Sequence, residues 1–321
     1  MLNPECQGDA IRIQGINKSF GKVKALDDIN LVVEPNSVFA LLGPNGSGKT
    51  TLIRILTTLL KPDSGEAWVK GHNIEKESKQ VRSVIGLAGQ YPAVDDDLTG
   101  LENLEMIGNL YHLGQKYAKS RAKELLEQFD LSDSASRRVK VYSGGMRRKL
   151  DLAATLVAKP AILFLDEPTT GLDPRSRIAL WDVIGAQARD CNTVFLTTQY
   201  LEEADRLANK IAILNEGKII RVGTPSELKE CCGGESRITL RLVDHLKTPL
   251  VLEALKGMAP GALRSNPDTG EISFSSDGSQ TALPEVVRRV DAIGIQLAEL
   301  SLKQPTLDDV FLAITGRTIA T

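Results

Sequence analysis

The sequence predicts an α/β protein: a parallel sheet covered by helices, followed by a second, smaller α/β domain. Three observations predict it. The segments Val38–Leu42, Ala161–Leu165 and Thr193–Thr198 read as short apolar strands, and the first is continuous, which suits a strand buried on both faces. Segments of helical period alternate with them, which is the order a parallel sheet needs. The chain has 321 residues, 42% hydrophobic, 25% charged and 4% aromatic, a globular composition with room for about two domains.

In chain order, Ile11 and Ile13, then Ile29, Leu31 and Val33, alternate with polar residues and read as half-buried strands. Ser37–Leu42 runs into a glycine-rich turn, Gly43 to Gly48, and then a helix through Leu52, Ile55, Leu56 and Leu59. Pro62-Asp-Ser-Gly65 closes that helix. From about 91 to 159 the pattern is helical, with Ala122, Leu125, Leu126 and Phe129 forming one buried stripe. A helix around Ile178–Ala188 separates the two later strands. Residues 231–236, Cys-Cys-Gly-Gly-Glu-Ser, read as a linker between a 1–230 domain and a 237–321 domain. In the latter, Ile238/Leu240/Leu242 and Ile272–Phe274 read as strands and Ile295–Leu300 as extended. Leu250–Met258, Val286–Ile293 and Thr306–Ile314 read as helices.

Several function classes are excluded. The charge nearly cancels, 39 Lys plus Arg against 41 Asp plus Glu, so nucleic-acid binding is not expected. The longest apolar runs, such as Ala161–Leu165, hold five residues, too few for a membrane span. The start, MLNPECQGDA, lacks a secretory pattern, so a cytosolic protein is expected. Cys6, Cys191, Cys231 and Cys232 form no C-x-x-C pair, and His72, His112 and His245 have no metal-ligand spacing. No zinc or redox site is expected.

Gly43-Pro44-Asn45-Gly46-Ser47-Gly48-Lys49-Thr50 fits G-x-x-x-x-G-K-[ST], with a strand before it and a helix after. Glycines let backbone N–H groups curl around phosphate oxygens, and the helix start adds positive potential. Lys49 is then placed for the β- and γ-phosphates of a nucleotide and the Thr50 hydroxyl for Mg²⁺. Asp166 and Glu167 follow the strand Ala161–Leu165 at its carboxyl end, where ligands of open sheets sit. There Asp166 can organise hydrated Mg²⁺ and Glu167 can polarise a water; alternatively both are solvated acids before Pro168. Tyr142-Ser143-Gly144-Gly145-Met146 opens a helix with Ser143 as N-cap, 94 residues after Lys49 and 23 before Asp166.

In that order, over residues 10–230, these parts resemble the ABC ATPase family. GPNGSGKTT, through Thr51, corresponds to its Walker A loop, Gln90 to the Q-loop, YSGGM to the signature, and ILFLDEP to Walker B. Asp173 in GLD falls on the D-loop, which communicates between subunits. Phe20 sits where the family places an aromatic against adenine, or is an ordinary core aromatic. The resemblance implies a P-loop ABC ATPase cassette: a mixed-sheet core, an antiparallel β subdomain and a helical subdomain at about 91–159. It also implies that Gln90 senses Mg²⁺. Ser143, Gly144 and Gly145 would then close over the ATP of a second copy, or of a related ABC ATPase, in a head-to-tail nucleotide-sandwich dimer.

The family's switch histidine is replaced by Gln199, whose amide can donate to the γ-phosphate but cannot carry a proton. That leaves Glu167 as principal catalytic candidate, with Gln199 beside it; an ATP-binding regulatory switch with little hydrolysis is the alternative function. TTQYLEEAD, YSGGMRRKLDLA and PTLDDVFLAITGR together resemble the daunorubicin/doxorubicin-resistance type. That type implies a peripheral ATPase on the cytoplasmic face of the membrane, serving a separate integral membrane permease that exports amphipathic drugs or lipids. Leu101–Leu113 is the candidate permease-docking segment, or simply core. Arg137-Arg138 and Arg147-Arg148-Lys149 are expected to be solvated faces around the signature helix. Thr306–Phe311 reads equally as a capped, packed helix or an assembly surface.

Overall fold

The computed structural model describes residues 8–189, 192–231, 236–258, 263–266, 269–276, 282–303 and 306–315. Two compact units divide between Pro225 and Ser226. The first begins with strands β1 (Ile11–Phe20), β2 (Val23–Val33) and β3 (Val38–Leu42), helix α1 (Lys49–Leu56), then β4 (Ser64–Val69) and β5 (His72–Asn73). Next come α2 (Ser78–Val84), β6 (Ile85–Ala88), α3 (Gly100–Leu110), α4 (Gln115–Gln128) and α5 (Gly144–Thr155). It closes with β7 (Ile162–Asp166), α6 (Pro174–Arg189), β8 (Thr193–Thr198), α7 (Leu201–Leu207), β9 (Lys210–Asn215) and β10 (Lys218–Gly223).

The central sheet has the order β10-β9-β3-β8-β7-β6. Its strands are parallel except β10, which pairs antiparallel with β9 and makes the sheet mixed. Alternate side chains enter two cores. Phe39, Leu41, Phe164 and Phe195 pack with α1 and the antiparallel sheet β2-β1-β4-β5. Val38, Leu163, Leu165, Val194 and Leu196 pack with α3, α4, α5 and α6. Burial on both faces is why β3 and the apolar run of β7 carry no polar alternation. Phe39 and Phe164 flank Phe195 in register, each 5.6 Å from it between ring centroids, so three adjacent parallel strands share one aromatic row.

Two expectations shift. The first helix stops at Leu56, and Leu59 is 60% exposed instead of continuing the stripe. Thr58 is left-handed at φ 63°, its N–H bonds back to the Ile55 carbonyl and the Leu59 N–H to the Arg54 carbonyl, so backbone closure ends the helix before the apolar period does. In the 91–159 region, helix begins only at Gly100, where Thr99 and Glu102 form a reciprocal cap.

From the division onward the chain forms α8 (Pro225–Cys231), β11 (Ser236–Leu242), α9 (Thr248–Ala254), β12 (Arg264–Asn266), β13 (Glu271–Ser276), α10 (Ala282–Ala292), β14 (Leu297–Lys303) and α11 (Leu307–Thr315). Linker residues 232–235, with Cys6, Cys191 and Cys232, lie outside the described residues. The sheet β12-β13-β11-β14 is antiparallel throughout. Ile238, Leu240 and Leu242 alternate onto one face and pack with Val251, Val286 and Val290. Thr306 and Asp309 cap α11 reciprocally, and Leu307, Val310 and Phe311 are buried. Among the described residues no helix is long and apolar enough to cross a membrane.

Candidate functional site

The loop between β3 and α1 is shaped by glycine. Gly48 has φ 111°, and a Cβ there would lie 2.4 Å from the Ala25 carbonyl oxygen. A Cβ on Gly43 would lie 2.3 Å from the Leu214 carbonyl oxygen. Side chains would therefore both strain the turn and push it off the sheet. Lys49, at the first turn of α1, is 4% exposed. Its Nζ donates to the carbonyls of Gly43 (2.8 Å) and Pro44 (3.1 Å) and sits 3.1 Å from Glu167 Oε1. Ser47 is buried, whereas Asn45, Gly46 and Thr51 line the open side of the cleft.

The opposite wall is the carboxyl end of β7. Asp166 Oδ1 accepts from Thr197 (2.6 Å) and from Thr50 (3.3 Å), and Gln90 Nε2 donates to Thr50 Oγ1 (3.3 Å). Glu167 follows with a left-handed backbone, φ 49°, which turns its carboxylate toward Lys49. The structure thus brings Lys49, Thr50, Gln90, Asp166 and Glu167 into one cleft. Phe20 also lines it and is 51% exposed, so it is not a core aromatic. Among the described residues no group of three or more His, Cys, Asp or Glu could hold a metal. The Thr50–Asp166 oxygen pair nevertheless suits Mg²⁺, which keeps few protein ligands and takes the rest from phosphate and water.

Other predicted residues stand apart. Ser143 caps α5, accepting from the Met146 N–H, and Ser143 and Gly144 are exposed outside the cleft lining. Gly145 approaches Ser176 so closely that a Cβ would meet its Oγ at 2.6 Å, joining the starts of α5 and α6. Asp173 is exposed at the head of α6; the Ser176 hydroxyl and N–H hold its carboxyl below the usual range. Gln199 follows β8, half-buried and outside the cleft lining. In α3, Leu104 is buried and Leu101 half-buried, while Leu110 is 70% exposed, so the Leu101–Leu113 segment mixes core and surface.

The basic clusters do not behave alike. Arg137 and Arg138 are exposed, and Arg147 pairs at the surface with Asp96. Arg148, expected in a solvated face, is instead buried, because helical period turns it inward beside Leu152 while Arg147 faces out. It pairs with buried Asp151 at 3.1 Å. Charge composition alone could not separate two neighbouring arginines; the carbonyls that the folded chain brings to Arg148 do.

Glu203 is the second buried group that sequence reading missed. It is fully buried on α7, and its Oε1 accepts from the Thr169 hydroxyl (2.8 Å) and the Trp181 indole (2.9 Å). Burial pushes its carboxyl above the ordinary 4.5, against those donors and the charge of Arg177. Between 4.5 and the folded value, the folded chain therefore holds a proton that the unfolded chain releases. The associated stability is full below pH 4.5 and is lost as pH rises through the folded value. In urea denaturation, Glu203→Gln is expected to remove a falling slope of up to about 1.4 kcal/mol per pH unit, the limit for one proton. Parallel curves for parent and variant would exclude this titration.

The family described as ABC transporter matches residues 26–170. Over 309 residues the chain is 47% identical to the daunorubicin resistance ATP-binding protein DrrA2 of Streptomyces coeruleorubidus, covering 96% of each. It is 44% identical to the doxorubicin resistance ATP-binding protein DrrA of Mycobacterium tuberculosis, covering 95% of this chain and 93% of that one. Among solved structures, a post-hydrolysis dimer of an ATP-binding cassette bound to ADP and phosphate matches with TM-score 0.61 and 25% identity. That match covers 67% of this chain and 98% of the other.

Proposed function

The chain belongs to the ABC transporter ATP-binding family, and on that premise we propose that it powers an exporter of amphipathic drugs or lipid-like compounds through a separate integral membrane permease. It is an ATPase of the drug-resistance branch. The observation that carries the composite-site reading is the split of the machinery: Lys49, Thr50, Gln90, Asp166 and Glu167 share one cleft, while Ser143 and Gly144 are exposed at the start of α5. One chain then holds one half of each site. The other half comes from a second copy, or a related ABC ATPase, bound head to tail.

In this reading Lys49 exchanges its carbonyl and Glu167 partners for the β- and γ-phosphate oxygens of ATP. Backbone N–H groups from Gly46 to Thr50 cradle the phosphates, and Phe20 stacks on adenine. Thr50 and Asp166, with Gln90 beside them, would hold Mg²⁺, which offsets charge between the β- and γ-phosphates. Glu167, freed from Lys49, orients a water in line with the γ-phosphorus and takes its proton as the bond to ADP breaks. Gln199 donates its amide to the γ-phosphate without changing charge. Ser143, Gly144 and Gly145 of the opposing copy cap that phosphate, and Asp173 relays closure between subunits. ATP favours the closed dimer only through contacts the open one lacks, and hydrolysis removes them.

Residues 1–230 form the nucleotide-binding domain, with the helical part at 91–159 presenting Leu101–Leu113 to the permease. Residues 231–236 link it to the accessory domain 237–321. The assembly sits peripherally on the cytoplasmic face of the membrane, and nucleic acid plays no part.

Complementation tests the composite site. Lys49→Ala and Ser143→Arg chains should each be inactive in phosphate release, yet their mixture should recover turnover. Mixed dimers rebuild one site from an intact loop and an intact turn. A mixture as inactive as its components, although dimers form, would reject the head-to-tail arrangement. The regulatory-switch alternative rests on Gln199; it gains support if the parent releases no phosphate with or without its membrane partner.

A further inference from the structure

Arg148 on α5 makes contacts that its helix cannot satisfy by itself. It is 6% exposed, and its Nε donates to the Pro168 carbonyl at 2.8 Å. Nη1 donates to the Gly89 carbonyl (2.7 Å) and to Asp151 Oδ2 (3.1 Å), and Nη2 to the Asp166 carbonyl (3.3 Å). Asp151, 2% exposed, uses its other oxygen to accept the Ala93 N–H at 2.7 Å. The pair therefore grips the chain on both sides of Gln90, at Gly89 and Ala93. Arg148 also grips it on both sides of Glu167, at Asp166 and Pro168.

Glu167 needs such a grip. Its φ of 49° is a left-handed backbone that costs a non-glycine residue energy, and the bonds at Asp166 and Pro168 hold the turn from both sides. Burying two charges adds little stability over an apolar pair of similar size, so packing alone is a weak reason for this arrangement. Only a planar guanidinium, with donors pointing several ways, can serve three carbonyls and a carboxylate at once. Burial weakens the hold of Arg148 on its proton, and the neighbouring acids, Asp151 first, offset this only in part.

We propose that Arg148, braced by Asp151, is a positioning residue for ATP hydrolysis that locks Gln90 and Glu167 in register with the signature helix. The inference rests on the roles given above to those two residues. Because Arg148 lies on the helix that Ser143 caps, any tilt of α5 when the signature turn meets a phosphate moves Gly89, Asp166 and Pro168 together. Docking of the signature and placement of the attacking water thereby become one event.

The test uses the full chain carrying Arg148→Met with Asp151→Asn. The introduced amide oxygen keeps an acceptor for the Ala93 N–H, and no unpaired charge remains. ATP affinity measured without Mg²⁺ should stay within about twofold, because Lys49 and the loop are untouched. The kcat should fall at least about tenfold and the Mg²⁺ concentration for half-maximal turnover should rise about threefold or more, as misorientation predicts. A merely structural pair would lower the melting temperature and leave both kinetic readouts of the folded fraction unchanged. Arg148→Lys is the second variant: it keeps the charge beside Asp151 but cannot span the carbonyls, so it too should lose kcat. Parental kcat and Mg²⁺ dependence in either folded variant would overturn the proposal. Glu167→Gln run alongside separates the failures. If it is inactive while the Arg148 variants are normal, only the brace is wrong; if it cycles normally, the site reading itself has failed.

Discussion

Exchanging Glu167 for glutamine is expected to slow ATP turnover by about three orders of magnitude, the loss typical of removing a general base. Size and backbone demand are unchanged, so the left-handed turn at φ 49° persists and the cleft keeps its shape. The amide, however, cannot take a proton from water. It also cannot pair with Lys49, which stands 3.1 Å from the carboxylate. Lys49 is then held only by the carbonyls of Gly43 and Pro44, and nucleotide no longer competes with an ion pair for it. ATP should therefore bind at least as tightly as in the parent. Because closure survives and reset does not, an ATP-bound dimer should accumulate. Single-turnover quench kinetics and light scattering read the two effects separately. A variant that cycles at parental speed would move the role of base to another group.

Lys49→Ala is expected to do the converse, weakening ATP binding as well as abolishing phosphate release. The loss in affinity should be about ten- to 150-fold, from about 1.5–3 kcal/mol for hydrogen bonds to a charged partner. Turnover should fall further, because the ammonium also balances charge that grows on the transferred phosphoryl group. The truncation leaves Glu167, with a side chain only 11% exposed, without its cation. The apo fold should lose stability accordingly, and added ATP should restore less of it than in the parent. Lys49→Arg should not rescue turnover, since the space between the Gly43 and Pro44 carbonyls suits a compact ammonium and not a planar fork. Calorimetric titration with ATP, beside phosphate release, measures both quantities. Unchanged affinity would remove Lys49 from the phosphate site.

Parts of this protein are legible because their physics is local. A glycine loop between a buried strand and a helix can be recognised from eight consecutive residues, since each fixed position answers a demand of the turn itself. Ser143 and Thr306 announce helix starts for the same reason, and their hydroxyls do accept the N–H groups three residues on. Helix ends are harder. The stripe Leu52, Ile55, Leu56, Leu59 keeps its period, yet the chain turns left-handed at Thr58, where the Thr58 and Leu59 N–H groups close back on the Ile55 and Arg54 carbonyls.

The sequence by itself determined the motif order, the alternation that builds the parallel core and the family, all written in short spans of residue type. Only the tertiary structure decided that Arg148 faces inward while Arg147 does not, that Phe20 lies open beside the cleft, and that the second unit's strands pair antiparallel. Those outcomes depend on partners far along the chain: Gly89, Asp166 and Pro168 for the guanidinium, and β14 for β11. A residue's type sets which bonds it can make, but which segment arrives to make them is settled when the whole chain packs.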